Sequence, residues 1–219
     1  MTALPLRERL AKARLYVIVT RAFCHDEPLT TAREAVAGGA DVIQMREKDL
    51  EDGEFYRQAL SLAEVCRQGG ALFIVNDRPH IALLAQADGV HSGQGDLPPH
   101  LTRRLVGDGR LIGRSTAAPE FALAALAEGS DYLGVGPVYA TQTKAHRQAV
   151  GLDYVRWAAN WNRLPFFAIG SVNRATLEAV LEAGARRVAV CTGISQARDI
   201  AAETAYYRSL IVARHPDCG

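Results

Sequence analysis

Eight short apolar runs, each followed by a stretch of helical character, constrain this chain more than any other feature of its sequence. The runs are Leu15–Thr20, Val42–Arg46, Ala71–Asp77, Gly89–Gly93, Leu111–Thr116, Tyr132–Pro137, Phe166–Ser171 and Val188–Thr192. Leu15-Tyr-Val-Ile-Val and Leu72-Phe-Ile-Val are apolar at successive positions, as strands covered by helices on one side and packed on the other must be. Between the runs, Glu54 to Gln68 sets Phe55, Ala59, Leu62, Ala63 and Cys66 on one helical face. Asn173 reads as the cap of a helix that Gly184 stops, Pro79 and Pro119 suit first helical turns, and Gln196 to Val212 reads as the last helix. A four-part repeat supports the count. Gly39-Ala-Asp-Val, Ala87-Asp-Gly-Val, Gly129-Ser-Asp-Tyr and Gly184-Ala-Arg-Arg-Val each enter an even-numbered strand, at spacings of 47, 43 and 55 residues. Strict alternation of strand and helix predicts a parallel sheet. Eight units in 219 residues suit a closed (β/α)8 TIM barrel, an α/β fold, better than an open doubly wound sheet. The expectation is one domain over 1–219, with a helical extension over 1–14, barrel units over 15–194 and the last helix over 195–212.

Polar residues then fall where such a barrel would use them, at or just past the strand ends. Gln44-Met45-Arg46-Glu47-Lys48 leaves strand 2 and Asn76-Asp77 ends strand 3. His91 to Asp96 follows strand 4, Ser115-Thr116 ends strand 5, and Thr141-Gln142-Thr143-Lys144 lies beyond strand 6. In this fold these positions share one mouth. Arg46, Lys48 and Lys144 are cationic donors of the kind that bind phosphate. Asp77 and Asp96 are hard oxygen ligands suited to Mg²⁺ held jointly with substrate phosphates. Gly170-Ser171 and Cys191-Thr192, after strands 7 and 8, occupy the customary phosphate site of barrels.

Each piece alone also has a plain structural reading. Arg46, Glu47 and Lys48 read equally as a solvated charged loop, and Asn76-Asp77 before Arg78-Pro79 as a turn and helix cap. Asp96 before Leu-Pro-Pro reads as a cap as well. His91 reads as a hydrogen-bonded core histidine, and Cys191 as a small buried residue rather than a nucleophile. Gly134-Val-Gly136 is no dinucleotide fingerprint. The functional reading rests on five loops agreeing in side and chemistry.

The bulk numbers bound the partners. A formal net charge of +1 offers no global field for nucleic acid or an anionic membrane, so any anion site is local. The segment from Met1 to Leu15 carries five charged side chains and no apolar stretch, unlike a secretory signal, and no run approaches a membrane span. Cys24, Cys66, Cys191 and Cys218 lack the spacing of a disulfide framework or zinc site. A reducing cytoplasm is the expected compartment.

Taken together, Gln44-Met-Arg-Glu-Lys48, Val75-Asn-Asp-Arg78, Asp88-Gly-Val-His-Ser-Gly-Gln-Gly-Asp96, Ile112-Gly-Arg-Ser-Thr116 and Gly134-Val-Gly-Pro-Val-Tyr-Ala-Thr-Gln-Thr-Lys144 resemble the thiamine-phosphate synthase family from about Leu15 to about Ile194. The resemblance implies a thiamine-biosynthetic transferase that forms a C–N bond. It would join 4-amino-2-methyl-5-(diphosphooxymethyl)pyrimidine to thiazole phosphate, with release of pyrophosphate. Gln44, Met45, Arg46, Glu47, Lys48, Asn76, Ser115 and Lys144 would hold the pyrimidine diphosphate, and Arg46, Lys48, Ser115 and Lys144 would assist its departure. Asp77 and Asp96 would ligate one Mg²⁺ per subunit. Thr141, Gln142, Thr143, Ser171, Cys191 and Thr192 would hold the thiazole phosphate, with residues 142–148 as a conceivable lid. Small molecules would be the partners, with neither nucleic acid nor membrane among them. The sequence departs from the family at Ser171, where glycine is usual. The β-carbon there would crowd the phosphate or its hydroxyl would donate to it, and a positive φ would cost about 1 kcal/mol. Gly95 replaces a usually larger residue, and Thr192 stands where serine is common. A thiazole tautomerase-like paralogue, whose histidine after strand 5 is Ala117 here, and a non-catalytic sensor on the same fold are the alternatives.

Overall fold

A computed structural model describes residues 4–141 and 148–216. The eight runs form strands β1 Leu15–Val19, β2 Val42–Met45, β3 Leu72–Asn76, β4 Gly89–Ser92, β5 Leu111–Thr116, β6 Tyr132–Val135, β7 Phe166–Ile169 and β8 Val188–Val190. Each pairs in parallel with its sequence neighbours, and β8 closes on β1 through Tyr16 opposite Ala189. Helices α1 Leu6–Lys12, α2 Pro28–Ala37, α3 Asp52–Gly69, α4 Pro79–Leu84, α5 Pro99–Val106, α6 Pro119–Ala127, α7 Gly151–Trp161, α8 Leu177–Glu182, α9 Thr192–Ser195 and α10 Ile200–Arg214 complete the order. This is the closed (β/α)8 barrel read from the alternation.

Several strands end one or two residues earlier than expected. The first residue past β2 still donates to the adjoining strand, Arg46 N to Val19 O at 2.9 Å, and Asp77 N past β3 reaches His91 O at the same distance. The last helix starts at Ile200 rather than Gln196. Asp199 is its cap, its carboxylate accepting from Ala202 N at 2.8 Å, and only the single turn α9 precedes it. Asn173 does not cap α8 directly. Its Oδ1 accepts from Ala175 N at 2.9 Å in a turn, and α8 begins four residues on, at Leu177.

The strands separate two cores. Leu15, Val17 and Val19 face the helices, with Ile43, Met45, Phe73 and Val75. Tyr16, Ile18, Val42, Leu72, Ile74, Leu111, Tyr132, Phe167 and Ala189 fill the interior, each on the opposite parity of its strand. Leu10 and Ala13 belong to that inner cluster too. The N-terminal segment therefore caps this end of the barrel through Leu10 and Ala13 while its charged side chains stay at the surface, Arg9 bonding Gly70 O at 3.1 Å and Arg7 bonding Asp131 at 2.8 Å.

The four-part repeat acquires a cause at that end. Asp41, just before β2, accepts from Leu15 N of β1 at 3.0 Å; Asp88, before β4, accepts from Phe73 N of β3 at 2.8 Å; Asp131, before β6, accepts from Ile112 N of β5 at 2.8 Å. Each carboxylate takes up a backbone donor near the start of the preceding odd strand. The fourth repeat carries arginines instead, and Ala168 N of β7 turns to the carbonyl of Arg187.

Candidate active site

Strand parity decides which side chains reach the opposite, C-terminal mouth. Counting by twos along the inward face gives Gln44 and Arg46 on β2, Asn76 on β3, His91 on β4, Ser115 on β5, Gly134 and Gly136 on β6, Ile169 on β7 and Cys191 past β8. All of them line one cavity. Thr141, Gly170, Ser171 and Thr192 complete its far wall, and about 940 Å³ of space lies within and over it. Gln44, Asn76 and Ser115, at 2%, 9% and 7% exposure, present polar groups from a floor of Tyr16, Tyr132 and Phe167.

Beside this cavity, the loops after β2, β3 and β4 converge. Lys48 Nζ contacts Asp77 Oδ2. Burial pushes the Asp77 carboxyl up, but hydrogen bonds with Lys48 and Asp96, together with the Lys48 charge, outweigh it and hold the group below its ordinary range. Asp96 goes the other way, raised by burial and by its contact with Asp77. It also accepts from Gly93 N at 2.7 Å. Two carboxylates in contact, one lowered by a lysine and the other raised by its neighbour, form a donor pair that a divalent cation would relieve. Among the described residues no third His, Cys, Asp or Glu joins them, so a cation there would draw its other ligands from substrate or water.

Two of the residues expected to touch substrate do something else. Met45 lies on the outward parity of β2, 1% exposed in the layer under the helices, so its side chain does not reach the mouth. Glu47 accepts from Arg21 N at 2.6 Å and ties the β1 loop to the β2 loop; burial raises its carboxyl despite that bond. In each the cause is direction rather than residue type. Gln142, Thr143 and Lys144, and with them the expected lid, lie outside the described residues. Cys191 lines the cavity as a half-buried thiol pushed up to about 12 by burial, in keeping with its reading as inert.

Ser171 has φ +50°, the strained conformation foreseen for a non-glycine residue. Its hydroxyl donates to Ala140 O at 2.5 Å, strapping the start of the β6 loop to the β7 loop instead of pointing at a phosphate. Replacing it separates the two effects. Ser171→Ala keeps the strain and loses the bond, for an expected loss of about 1 kcal/mol. Ser171→Gly removes both and should be close to neutral. Urea midpoints of the two variants check this, and equal losses would show that the backbone is not strained.

Sequence reasoning missed four members of this region. Tyr16 and Tyr132 hide in runs that read as apolar, although a hydroxyl on an inward-facing aromatic was the available signal. Arg114 donates to Ser92 Oγ at 3.1 Å, Leu97 O at 3.0 Å and Gln94 O at 3.3 Å, and so holds the loop that carries Asp96. Arg78 does the same for the Lys48 loop, through Leu50 O at 2.6 Å and Asp52 at 2.7 Å, while stacking 4.5 Å over Phe55.

Comparison with known proteins places this mouth in a lineage. A family model described as thiamine monophosphate synthase matches residues 15–194. The chain is 48% identical to the thiamine-phosphate synthase of Thermus thermophilus, covering 85% of this chain and 91% of that protein. It is 46% identical to the protein of that name from Synechocystis and 48% to that from Gloeobacter violaceus, over 87% and 92% of this chain. It spans only 55% and 58% of the length of those two relatives. A solved structure of thiamine phosphate pyrophosphorylase from Pyrococcus furiosus superposes with a TM-score of 0.87 at 33% identity, over 94% of this chain and 98% of that one. KGPDC from Streptococcus mutans, at 13% identity and a TM-score of 0.66, shares the fold alone. With the family model matched along nearly the whole barrel, this chain belongs to the thiamine monophosphate synthase family.

Proposed function

We propose that the chain is a thiamine-phosphate synthase: it joins 4-amino-2-methyl-5-(diphosphooxymethyl)pyrimidine to thiazole phosphate and releases pyrophosphate. The observation that carries this reading is the division of the mouth. A polar cavity bearing Gln44, Arg46, Asn76 and Ser115 adjoins the Lys48–Asp77–Asp96 cluster on one side and Thr141, Ser171 and Thr192 on the other. One side suits a ring carrying a diphosphate, and the other a second, smaller phosphate.

Asp77 and Asp96 are the residues that would hold one Mg²⁺, with the diphosphate completing its shell. The ion, when bound, supplies charge that neutralises the departing pyrophosphate. Arg46 and Lys48 add positive charge on the same side without proton transfer. Gln44, Asn76 and Ser115 orient the aminopyrimidine, whose electron-rich ring can carry positive charge at its methylene as the C–O bond breaks. The thiazole nitrogen then attacks from the far side, where Ser171 straps the β6 loop and the Cys191-Thr192 backbone would meet the second phosphate. Lys144 and the Thr141–Thr143 hydroxyls complete the proposed contacts. No general base is needed, because the attacking nitrogen carries no proton to remove.

Free Cys24, Cys66 and Cys191 suit a reducing cytoplasm, and among the described residues no helix is long and apolar enough to cross a membrane. The test is direct. Purified protein given the pyrimidine diphosphate, thiazole phosphate and Mg²⁺ should release pyrophosphate and thiamine phosphate in equal amounts, and chelation should stop both. Binding of the ligands without product would favour the sensor reading instead.

A further inference from the structure

Beneath the cavity floor, one line of hydrogen bonds joins opposite walls of the mouth. Gln44 Nε2 donates to Tyr16 Oη at 2.7 Å; Tyr16 Oη and Tyr132 Oη are 3.2 Å apart; Tyr132 Oη lies 3.3 Å from His91 Nδ1; His91 Nε2 lies 3.0 Å from Ser115 Oγ. All five residues are 9% exposed or less. Burial raises both tyrosine hydroxyls well above their ordinary range, so each keeps its proton and has one to give. Gly113 is the space-maker for this line, since a β-carbon there would overlap the Tyr132 ring and His91 Nδ1.

Donor and acceptor capacity then sets a direction. Tyr16 receives from Gln44 and gives its proton to Tyr132. Tyr132 gives its own to His91 Nδ1. A His91 that accepts at Nδ1 carries its proton on Nε2 and donates to Ser115. The Ser115 proton is thereby turned away from His91, and Gln44 is left with its carbonyl oxygen as the acceptor it offers the cavity. Rotating the Gln44 amide would oblige every link to reverse, because a buried polar group left without a partner costs about 1–3 kcal/mol. Gln44 on β2 and Ser115 on β5 are therefore set together rather than one at a time.

We propose that the Gln44–Tyr16–Tyr132–His91–Ser115 line is a specificity device that reads both edges of the pyrimidine jointly, demanding a donor at Gln44 and an acceptor on the Ser115 side. This rests on the pyrimidine reading of the site given above. A 4-aminopyrimidine meets the demand, with its amine on one edge and a ring nitrogen across from it. A 4-oxo pyrimidine presents an acceptor to Gln44, and accommodating it would reverse the whole line and withdraw the donor at Ser115. Tyr16, Tyr132 and His91 act as positioning residues, through Gln44 and Ser115.

The test compares calorimetric Kd values of the 4-amino and 4-oxo pyrimidine monophosphates for wild type, Tyr16→Phe, Tyr132→Phe and the double variant. Wild type should favour the amino compound at least about a hundredfold. Each single variant should cut that preference at least about tenfold, and the double variant should cut it no further, since both break one line. Nitrogen NMR of ligand-free wild type should show the His91 proton on Nε2 and none on Nδ1. An unchanged preference in folded single variants, additive losses, or a His91 protonated at Nδ1 overturns the proposal. Turnover of the diphosphate by wild type is read separately. Its absence would sink the synthase reading, whereas turnover with an unaltered preference would sink only the coupled line.

Discussion

Asp77→Asn should lower turnover about a thousandfold and abolish its response to divalent cations while leaving the melting transition nearly where it was. The residue is chosen for its charge state. Among the contacting carboxylates, Asp77 is the one held ionised, by Lys48 and its contact with Asp96 against the pull of burial. Its amide counterpart keeps the size and the hydrogen-bonding oxygen but loses the charge. Asparagine also tolerates the backbone, which is at φ +61°, whereas alanine would add strain of its own. The lost ion pair costs little stability, because Lys48 is half exposed and such pairs contribute about 0–1 kcal/mol. The readings are initial rate against Mg²⁺ concentration and the thermal midpoint. Turnover within a few-fold of wild type would remove Asp77 from the metal site, and a collapse of the midpoint would show that its role is architectural.

The opposite pattern is expected at the other end of the barrel. Asp131→Ala should cost about 3–5 kcal/mol of stability, read as a shift in the urea midpoint, with KM for both substrates changed little in the protein that remains folded. Asp131 is 9% exposed in its side chain and serves three donors: Ile112 N at 2.8 Å, Arg103 at 2.6 Å and Arg7 at 2.8 Å. Removing it takes the countercharge from Arg103, itself 18% exposed and left with backbone carbonyls alone, and takes an acceptor from the strand donor Ile112 N, and both losses are costly where water is scarce. The site lies at the far end of the strands, where barrels keep their stability rather than their chemistry. A loss below about 1 kcal/mol would mean that water replaces the carboxylate and that the repeat has no structural worth.

The contrast between these aspartates shows how much could be read before the structure. Asp41, Asp88 and Asp131 stood out as a period, and the period correctly counted βα pairs, but their partners are backbone donors of strands 15 to 26 residues earlier. Nothing local names such a partner. Met45 and Glu47 adjoin Gln44, Arg46 and Lys48 in the chain, yet the Met45 side chain lies on the outward parity of β2 and Glu47 turns to Arg21 N. In a strand, contiguity is the wrong neighbourhood, since alternate residues face opposite layers. Ser171 was recognised as the departure at the mouth, and a positive φ was the stated condition for strain. The destination of its hydroxyl, a carbonyl 31 residues away, was beyond a sequence argument.

The eight-unit barrel and the residue types that gather past its strand ends follow from the linear chain alone. Those depend on hydrophobic period, turn residues and strand order, all of which are local and repeat along the chain. Closure of the ring adds the rest: a charged N-terminal helix caps the interior through Leu10, Arg78 and Arg114 hold the loops bearing Lys48 and Asp96, and two tyrosines and a histidine join Gln44 to Ser115. Those contacts link residues 17 to 124 positions apart across a closed ring. Their bonds are set by distance and donor direction, which exist only once β8 has met β1.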